Sequence, residues 1–253
     1  MCTLALYFRV LEEYPLIVAA NRDEHYDRPS EPPTLLTTDP AIVAGKDLLA
    51  GGTWLGVNEY GLLVGILNRR PDGEQDPLSN TRSRGLLCLD LLKRKTAAEA
   101  LGFVQAREER YQPFTVVFAD SSQVWLAYNL RREIKTHRLN EGLHVLSNTG
   151  NVDTRSAKIN RAYRQFAHLG DELRSHDPSG WPQLFSKALK DHALGNGSKD
   201  PRDAICVHTQ ISGTVSSSIV IYSRSDRRFQ TFYCPGPPCQ HSFGECPTLS
   251  VVS

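Results

Sequence analysis

The first two dozen residues constrain the fold most, because a strand pattern and several reactive side chains coincide there. Cys2 follows Met1 and leads a run with apolar residues at alternate positions, which is typical of a half-buried β-strand. A turn at 12–15 and a second apolar run at 16–20 predict an antiparallel hairpin. The register of that hairpin places Cys2 beside Asp23, within a residue or two.

This strand end carries the groups of a cysteine nucleophile. Removal of Met1 would leave Cys2 with a free α-amine, whose ordinary pKa of about 7.7–8.0 suits a general base. We expect Arg22 to lower the pKa of the thiol and Asp23 to bind the amine. Side chains of neighbouring residues on a strand point to opposite faces. Asn21, Arg22 and Asp23 can therefore point into one site only if the strand ends or bulges there. The alternative is a core cysteine followed by a turn that only holds a loop.

Length and composition exclude several classes of protein. The 253 residues suffice for one sizeable domain with its own core, and their number is also compatible with two domains. With 29 basic and 28 acidic residues, the chain shows no sign of nucleic-acid binding. We expect no membrane span, since no apolar run approaches about 18 residues, and no signal peptide. The six cysteines do not form a disulfide pattern, and their use predicts a cytoplasmic protein.

The rest of the chain predicts groups of strands and helices in alternation. Residues 26–40 are polar and proline-rich and predict a surface loop, and 71–84 predict a loop that could act as a lid. The pair Gly51-Gly52 indicates close backbone approach or positive φ. Thr96 and Glu99 fit a capping box. Expected strands are 41–45, 51–68 as a hairpin turning at 58–61, 114–119, 123–129, 133–139, 142–146, 203–210, 214–223 and 228–233; expected helices are 85–95, 96–110, 155–169 and 181–194. This order predicts an α+β fold, a four-layer αββα sandwich.

Several segments together resemble the NRDE-domain family, the homologues of transport and Golgi organisation protein 2. They are Cys2, Ala-Asn-Arg-Asp-Glu at 20–24, Gly-Gly-Thr-Trp-Leu-Gly at 51–56, Ser147-Asn148 and Gly213-Thr214. The resemblance spans residues 1–233 as a single domain and implies the Ntn-hydrolase fold. It also implies links to haem trafficking and, for some members, to acyl-CoA or lipid handling.

The chain is also similar in outline to the N-terminal cysteine amidases, such as bile-salt hydrolases and penicillin V acylases. This similarity implies that Cys2 is the nucleophile, with Arg22 and Asp23 beside it. It implies that Asn68 and Asn148 are amide donors to an oxyanion. The predicted substrate-binding residues come from the segments that carry the resemblance: Asn21, Gly52, Thr53, Trp54 and Thr214.

Two departures separate this chain from those relatives. The amidases space their arginine and aspartate by two residues, whereas Arg22 and Asp23 are adjacent. Many family members carry arginine where this chain has Val215. A residue from elsewhere, for instance Arg224, would have to replace that arginine.

The segment 234–253 predicts a flexible, Cys/Pro-rich tail. Its cysteines fit no zinc-finger spacing, and the histidines elsewhere, His208 among them, show no ligand spacing, so we expect no metal site. The Cys-Pro pairs at 234–235 and 246–247 are a pattern that sometimes supplies an axial thiolate to haem. The alternative is a disordered tail with incidental cysteines.

Two functions remain open. The first is hydrolysis of a C–N bond in a small amide, or of another acyl bond, by the Cys2 nucleophile with no cofactor. The second is a carrier that binds haem, acyl-CoA or a lipid in the same cleft without turnover. Both predict a small-molecule ligand and no nucleic-acid partner. A retained Met1 would block the amine base and favour the carrier.

Overall fold

The computed structural model describes residues 2–69, 81–130, 133–148, 156–195 and 198–252. Most of the predicted lid, residues 71–80, lies outside these ranges. The described residues form an α+β fold with two antiparallel sheets and four α-helices. The chain divides into two compact units. The first unit is 1–27, 141–224 and 230–246, and the second is 28–140, 225–229 and 247–253.

The strands and helices are numbered in chain order. The strands are β1 (Thr3–Phe8), β2 (Leu16–His25), β3 (Ser30–Thr38), β4 (Ala41–Asp47), β5 (Leu55–Asn58), β6 (Leu63–Asn68), β7 (Phe114–Ala119), β8 (Val124–Leu130), β9 (Glu133–Leu139), β10 (Gly142–Ser147), β11 (Ser212–Ser223), β12 (Arg228–Cys234), β13 (Gly244–Glu245) and β14 (Leu249–Ser250). The helices are α1 (Arg84–Leu92), α2 (Ala97–Gln105), α3 (Ala157–Ser175) and α4 (Trp181–Leu189). None of these helices is long and apolar enough to cross a lipid bilayer.

One sheet has the strand order β10–β1–β2–β11–β12–β13, and β14 also pairs with β12. The predicted N-terminal hairpin is confirmed: β1 and β2 are antiparallel, with Thr3 opposite Asn21 and Phe8 opposite Leu16. Alternate residues of this hairpin, such as Tyr7 and Ile17, pack into a core with α3 and α4. The hairpin therefore lies at the centre of the sheet, where its end is held on both sides.

Helix α3 covers this core because its apolar residues repeat at helical spacing. The buried stripe comprises Ile159, Ala162, Phe166, Leu169 and Leu173. Ser156 caps the helix, since its side chain accepts a hydrogen bond from the amide of Ile159. The helix continues to Ser175, six residues beyond the predicted end at 169.

The second unit contains the other sheet, ordered β3–β4–β5–β6–β7–β8–β9, with α1 and α2 packed into its apolar core. Half of the predicted capping box is present, since Thr96 Oγ1 accepts a hydrogen bond from the amide of Glu99. The Glu99 carboxylate accepts from the amide of Lys95, one residue before the cap. The predicted hairpin over 51–68 corresponds to β5 and β6, in which Val57 pairs with Leu63.

The prediction of a loop over 26–40 is wrong, because β3 occupies Ser30–Thr38. This strand tolerates Pro32 and Pro33 for two reasons. It lies at the edge of its sheet, and its register with β4 shifts between Glu31 and Thr34, where the prolines sit. Proline cannot donate to a ladder, so it is accepted at edges and bulges.

The prediction of a strand over 203–210 is also wrong, because β11 begins only at Ser212. The backbone of this segment bonds β11 only locally, through the amide of Thr214 and an isolated bridge between His208 and Gly213, and it also bonds side chains. The carbonyl of Ile205 accepts a hydrogen bond from Asn21, and the amide of Val207 donates to Thr214 Oγ1. The apolar residues of 203–210 are therefore buried in a connecting segment and do not form a β-strand.

The sequence predicts a flexible tail from 234, but the described residues of this segment have regular structure. Strand β13 pairs with Phe232 and Tyr233, and β14 pairs with Arg228 and Phe229. Cys234 is completely buried. The burial of Cys234 and the two strand pairings attach this segment to the sheet. Its proline and glycine content alone does not predict this attachment. The domain boundary at 233 stays a prediction.

Candidate active site

The thiol of Cys2 lies against the backbone of Asp23. The Asp23 amide donates to Cys2 Sγ at 3.4 Å, and the thiol can donate to the Asp23 carbonyl at 3.6 Å. This contact follows from the hairpin register, since Thr3 is opposite Asn21 and the two chains continue past that pair. The backbone of β2 therefore fixes the direction of the sulfur.

Burial raises the pKa of the Cys2 thiol, and the carboxylate of Asp23 raises it further. The Asp23 amide and Arg22 act in the opposite direction without reversing the shift. Arg22 thus acts in the expected direction, but burial and the Asp23 carboxylate outweigh it, and the net pKa of the thiol is raised instead of lowered. The thiol stays protonated at neutral pH, so it needs a base before it can attack a substrate.

The carboxylate of Asp23 is buried and held from two sides. Its Oδ1 accepts a hydrogen bond of 2.6 Å from Thr214 Oγ1. Its Oδ2 lies 3.8 Å from Lys158 Nζ. A buried carboxylate is stabilised by a charged partner and by hydrogen bonds, and this one has both. Asp23 therefore has one fixed orientation beside the thiol.

Lys158 is a residue of this site that the sequence prediction missed. Its side chain is 3% exposed, and Nζ donates to the carbonyl of Arg202 at 3.2 Å. Burial lowers the pKa of Lys158, while Asp23 opposes that shift. A signal was present in the sequence: Lys158 precedes Ile159 and lies four residues before Ala162, on the buried stripe of α3. A lysine on the apolar face of a helix indicates a buried partner.

Strand β11 has a bulge at the same point. Its register with β2 shifts between Thr214, which is opposite Asp23, and Ser216, which is opposite Arg22. Val215 is the extra residue. Bulges redirect side chains and are frequent beside active sites. The prediction required β2 itself to end or bulge at this point, but β2 continues to His25 and the extra residue lies on β11.

The side chain of Asn21 joins several segments of this unit by hydrogen bonds. Its Nδ2 donates to the carbonyls of Leu189 and Ile205 at 2.8 and 2.9 Å. Its Oδ1 accepts a hydrogen bond of 2.6 Å from Ser217 Oγ. Both amide protons are therefore used inside the protein, which leaves no donor for a substrate. Its predicted role in substrate binding stays a prediction, and its contacts are those of a residue that joins segments.

Asn148 directly follows β10, whose last residue, Ser147, is opposite Thr3. The extension of that register brings Asn148 next to Cys2. Asn148 is buried, and its Oδ1 makes no hydrogen bond to any described residue. Thr3 Oγ1 is likewise buried without such a bond. Buried polar atoms are normally paired, so these two mark a place where a further group can bind.

Four predicted site residues belong to the second unit. Asn68 is the last residue of β6, where it pairs with Phe114. Thr53 Oγ1 donates to the carbonyl of Leu55, and Trp54 accepts from the amide of Ile66 through its own carbonyl. These contacts order the entry to β5. Their predicted roles towards a substrate stay predictions.

Gly52, the fourth of these residues, is needed for packing. A Cβ at this position would lie 2.2 Å from the carbonyl carbon of Gly85 and 2.6 Å from its Cα. Gly51 has φ of +70°. The sequence prediction of close backbone approach or positive φ is confirmed: Gly52 shows the close approach and Gly51 the positive φ.

The two Cys-Pro pairs differ in accessibility. Cys234 is fully buried, and its thiol donates to the carbonyl of Gly236 at 3.3 Å. A thiol without exposed surface offers no face to a ligand as large as haem. Cys246 is partly buried, and burial raises the pKa of both thiols.

The family model for Transport and Golgi organisation 2 matches residues 1–232. The chain belongs to this family. A mouse Transport and Golgi organization 2 homolog is 35% identical over 145 residues, which are 53% of this chain and 51% of the mouse protein. The chain thus spans about half the length of the curated relatives that it matches.

Two solved structures share the fold. A variant of the conjugated bile acid hydrolase from Clostridium perfringens has a TM-score of 0.56 at 11% identity, covering 100% of this chain and 98% of that one. An N-acylethanolamine-hydrolyzing acid amidase ortholog from Caenorhabditis elegans has a TM-score of 0.54 at 12% identity, covering 87% and 92%. At such identities the likeness concerns the fold alone, and it confirms the predicted Ntn-hydrolase-like α+β fold.

Proposed function

We propose that this protein is an N-terminal cysteine hydrolase that cleaves a C–N bond in a small amide, or a related acyl bond, with Cys2 as the nucleophile. One observation carries the proposal: the Cys2 thiol lies on the Asp23 backbone, and the Asp23 carboxylate is oriented by Thr214 and Lys158. A carboxylate and a lysine buried together beside a thiol are costly to maintain, and such clusters concentrate at functional sites.

The first step requires a base because the pKa of the thiol is raised. In the chain without Met1, the α-amine of Cys2 is two bonds from the carbon that bears Sγ, and it takes the thiol proton. The thiolate attacks the substrate carbonyl carbon, a C–S bond forms, and the carbonyl oxygen becomes an oxyanion. Asp23 accepts hydrogen bonds from the ammonium and so favours it. The Oδ1 of Asn148, which bonds none of the described residues, is a second acceptor for the same group.

The second step reverses the proton transfer. The ammonium of Cys2 gives its proton to the substrate nitrogen, the C–N bond breaks, and the amine leaves while a thioester remains on Cys2. The α-amine then takes a proton from water, and the water oxygen attacks the thioester carbon. The carboxylic acid leaves and the thiol is restored. Amide groups of Asn148 and Asn68 are the predicted donors to the oxyanion.

The test combines intact mass with turnover. Mass spectrometry shows whether Met1 is removed, and a panel of N-acyl amides that differ in chain length and amine is then assayed by release of free amine. We expect turnover by the processed protein and loss of at least about a hundredfold in Cys2→Ala. Cys246→Ala is the matched control, since this partly buried cysteine lies outside the site, and it should retain activity.

Carriage of haem or of an acyl ligand is the competing hypothesis, and the same experiment separates the two. A carrier predicts saturable ligand binding and no amine release, and a retained Met1 would favour it. Equal amine release by Cys2→Ala and Cys246→Ala would contradict the hydrolase. A covalent acyl adduct on Cys2, trapped by acid quench, would support it directly.

A further inference from the structure

Away from Cys2, the first unit gathers two histidines and two cysteines into a cluster that the hydrolase chemistry does not use. The ligand atoms of His192, Cys206, His208 and Cys239 all lie within 4.8 Å of one another. Cys206 is buried, Cys239 is partly buried, and both histidines are exposed. No disulfide joins the two cysteines. We propose that these four side chains form a structural zinc site.

The distances fit a tetrahedral ion. With Zn–S of about 2.3 Å and Zn–N of about 2.0–2.1 Å, tetrahedral angles place two sulfurs about 3.8 Å apart and a sulfur and a nitrogen about 3.5 Å apart. The sulfurs of Cys206 and Cys239 are 3.9 Å apart. His208 Nε2 lies 3.8 Å from the first sulfur and 3.3 Å from the second. A disulfide needs sulfurs at about 2.05 Å, so the spacing matches a shared ion rather than a bond.

His192 is oriented as metal-bound histidines usually are. Its Nδ1 lies 3.1 Å from the carbonyl oxygen of Cys206. Since a carbonyl only accepts, Nδ1 carries the proton, and the lone pair is on Nε2. A backbone carbonyl that fixes the tautomer in this way is a common outer partner of zinc-bound histidine. The rings of His192 and His208 are adjacent, with centroids 5.0 Å apart.

The donor set selects the metal and its role. Two thiolates and two imidazoles suit tetrahedral zinc rather than calcium or magnesium, which prefer oxygen ligands. Binding releases the two thiol protons of Cys206 and Cys239, and the resulting site is neutral. Four protein ligands fill the coordination sphere, which is the arrangement of a structural site rather than a catalytic one.

The ion would tie together parts of the chain that are distant in sequence. His192 follows α4, Cys206 and His208 precede β11, and Cys239 lies in the C-terminal segment. The amide of Val207, between two ligands, donates to Thr214 Oγ1, which in turn donates to Asp23. The zinc would thus hold the connection that orients Asp23, although its presence does not depend on the hydrolase proposal.

Sequence spacing could not reveal this site. Cys206 and His208 are separated by one residue, and the other two ligands lie 14 residues before Cys206 and 33 residues after it. Zinc ligands usually come in closely spaced pairs on one turn. The expectation of no metal site came from that rule, and the fold supplies the missing proximity.

The test is metal content with a matched control. Protein expressed with added zinc and purified under reducing conditions should contain about one zinc per chain by atomic emission. Cys239→Ser should reduce the content at least about fivefold, and Cys246→Ser, a cysteine of the same segment outside the cluster, should retain it. His192→Ala, at an exposed position, provides a second variant if Cys239→Ser does not fold.

Cobalt gives an independent readout. Protein depleted of zinc should bind Co²⁺ with the intense visible bands of a tetrahedral site and a sulfur-to-cobalt charge-transfer band in the near ultraviolet. Cys239→Ser should weaken the charge-transfer band by about half or more. Wild-type protein without zinc and without a tetrahedral cobalt spectrum would overturn the proposal. Equal zinc in wild type and Cys239→Ser, or a Cys206–Cys239 disulfide after reductive purification, would also overturn it.

Discussion

Lys158 Nζ lies 3.8 Å from Asp23 Oδ2, and the two side chains are 3% and 2% exposed. An ion pair at this depth is rarely a net source of stability, because desolvation offsets its attraction. Removal of one partner is different, since it leaves a buried charge alone. The pair therefore connects α3 to the end of β2 beside Cys2. The effect of substituting one residue on stability should depend on whether the other is present.

We expect Lys158→Met to lower the free energy of unfolding by about 3–5 kcal/mol, because the carboxylate of Asp23 loses its cation. Asp23→Asn should also destabilise, and the double variant should be more stable than the sum of the two losses implies. Urea unfolding measures all three. Lys187→Met is the control, since Lys187 is exposed on α4, and it should change stability by less than about 0.5 kcal/mol. Additive losses would contradict a direct pair.

The thiol offers a pH measurement whose sign the structure fixes. A raised pKa means that the thiolate of Cys2 forms only above the usual pH of thiol ionisation, so alkylation by iodoacetamide should rise late in a pH series. The Asp23 charge is one cause of the rise. Asp23→Asn should therefore move the alkylation midpoint to lower pH and accelerate labelling at pH 7, while amine release falls.

The control for that measurement is Glu24→Gln, which removes the neighbouring carboxylate. Glu24 is only partly buried, and it is not among the main causes of the raised pKa of the thiol. Its alkylation profile should match that of wild type. A slower alkylation of Cys2 in Asp23→Asn would favour the opposite view, in which Asp23 assists the thiolate through the amine.

Local patterns in the sequence were sufficient for the elements near the site. The hairpin register follows from two apolar runs and a turn, and it placed Cys2 beside Asp23 correctly because strand pairing is short-range here. The roles of Gly51 and Gly52 could also be predicted, since a pair of glycines before a strand usually indicates positive φ or close backbone approach.

Partners that come from distant segments could not be predicted in this way. Lys158 reaches Asp23 only after α3 packs on the sheet, and no spacing links the two in the chain. The same limit applies to Cys239 and His192. Strand β3 was missed for another reason: proline content argues against a strand, but an edge position with a bulge removes the objection.

Asn21 should be a stabilising residue rather than a catalytic one. Its side chain donates to the carbonyls of Leu189 and Ile205 and accepts from Ser217. Asn21→Ala orphans these buried groups and should lower the free energy of unfolding by at least about 1–3 kcal/mol. Asn21→Asp should destabilise more, because a carboxylate oxygen would then face two carbonyl oxygens.

Urea unfolding and Cys2 alkylation together check this assignment. Asn160→Ala, at an exposed position on α3, is the control and should be nearly neutral. Unchanged stability in Asn21→Ala, combined with a raised KM for an amide substrate, would instead make Asn21 a substrate-binding residue.

The two glycines before β5 should respond to substitution very differently. A Cβ on Gly52 would meet backbone atoms of Gly85 at 2.2 and 2.6 Å, and backbone cannot rotate away as a side chain can. Gly52→Ala should therefore destabilise by about 3 kcal/mol or more. At Gly51 there is nothing within 4 Å, and the only penalty is its φ of +70°. Gly51→Ala should cost about 1 kcal/mol, and Gly51→Asn less, since asparagine tolerates this conformation. Thermal melting of the three variants gives the order. If Gly52→Ala melts like wild type but binds substrate weakly, glycine is needed at this position for the substrate and not for packing against Gly85.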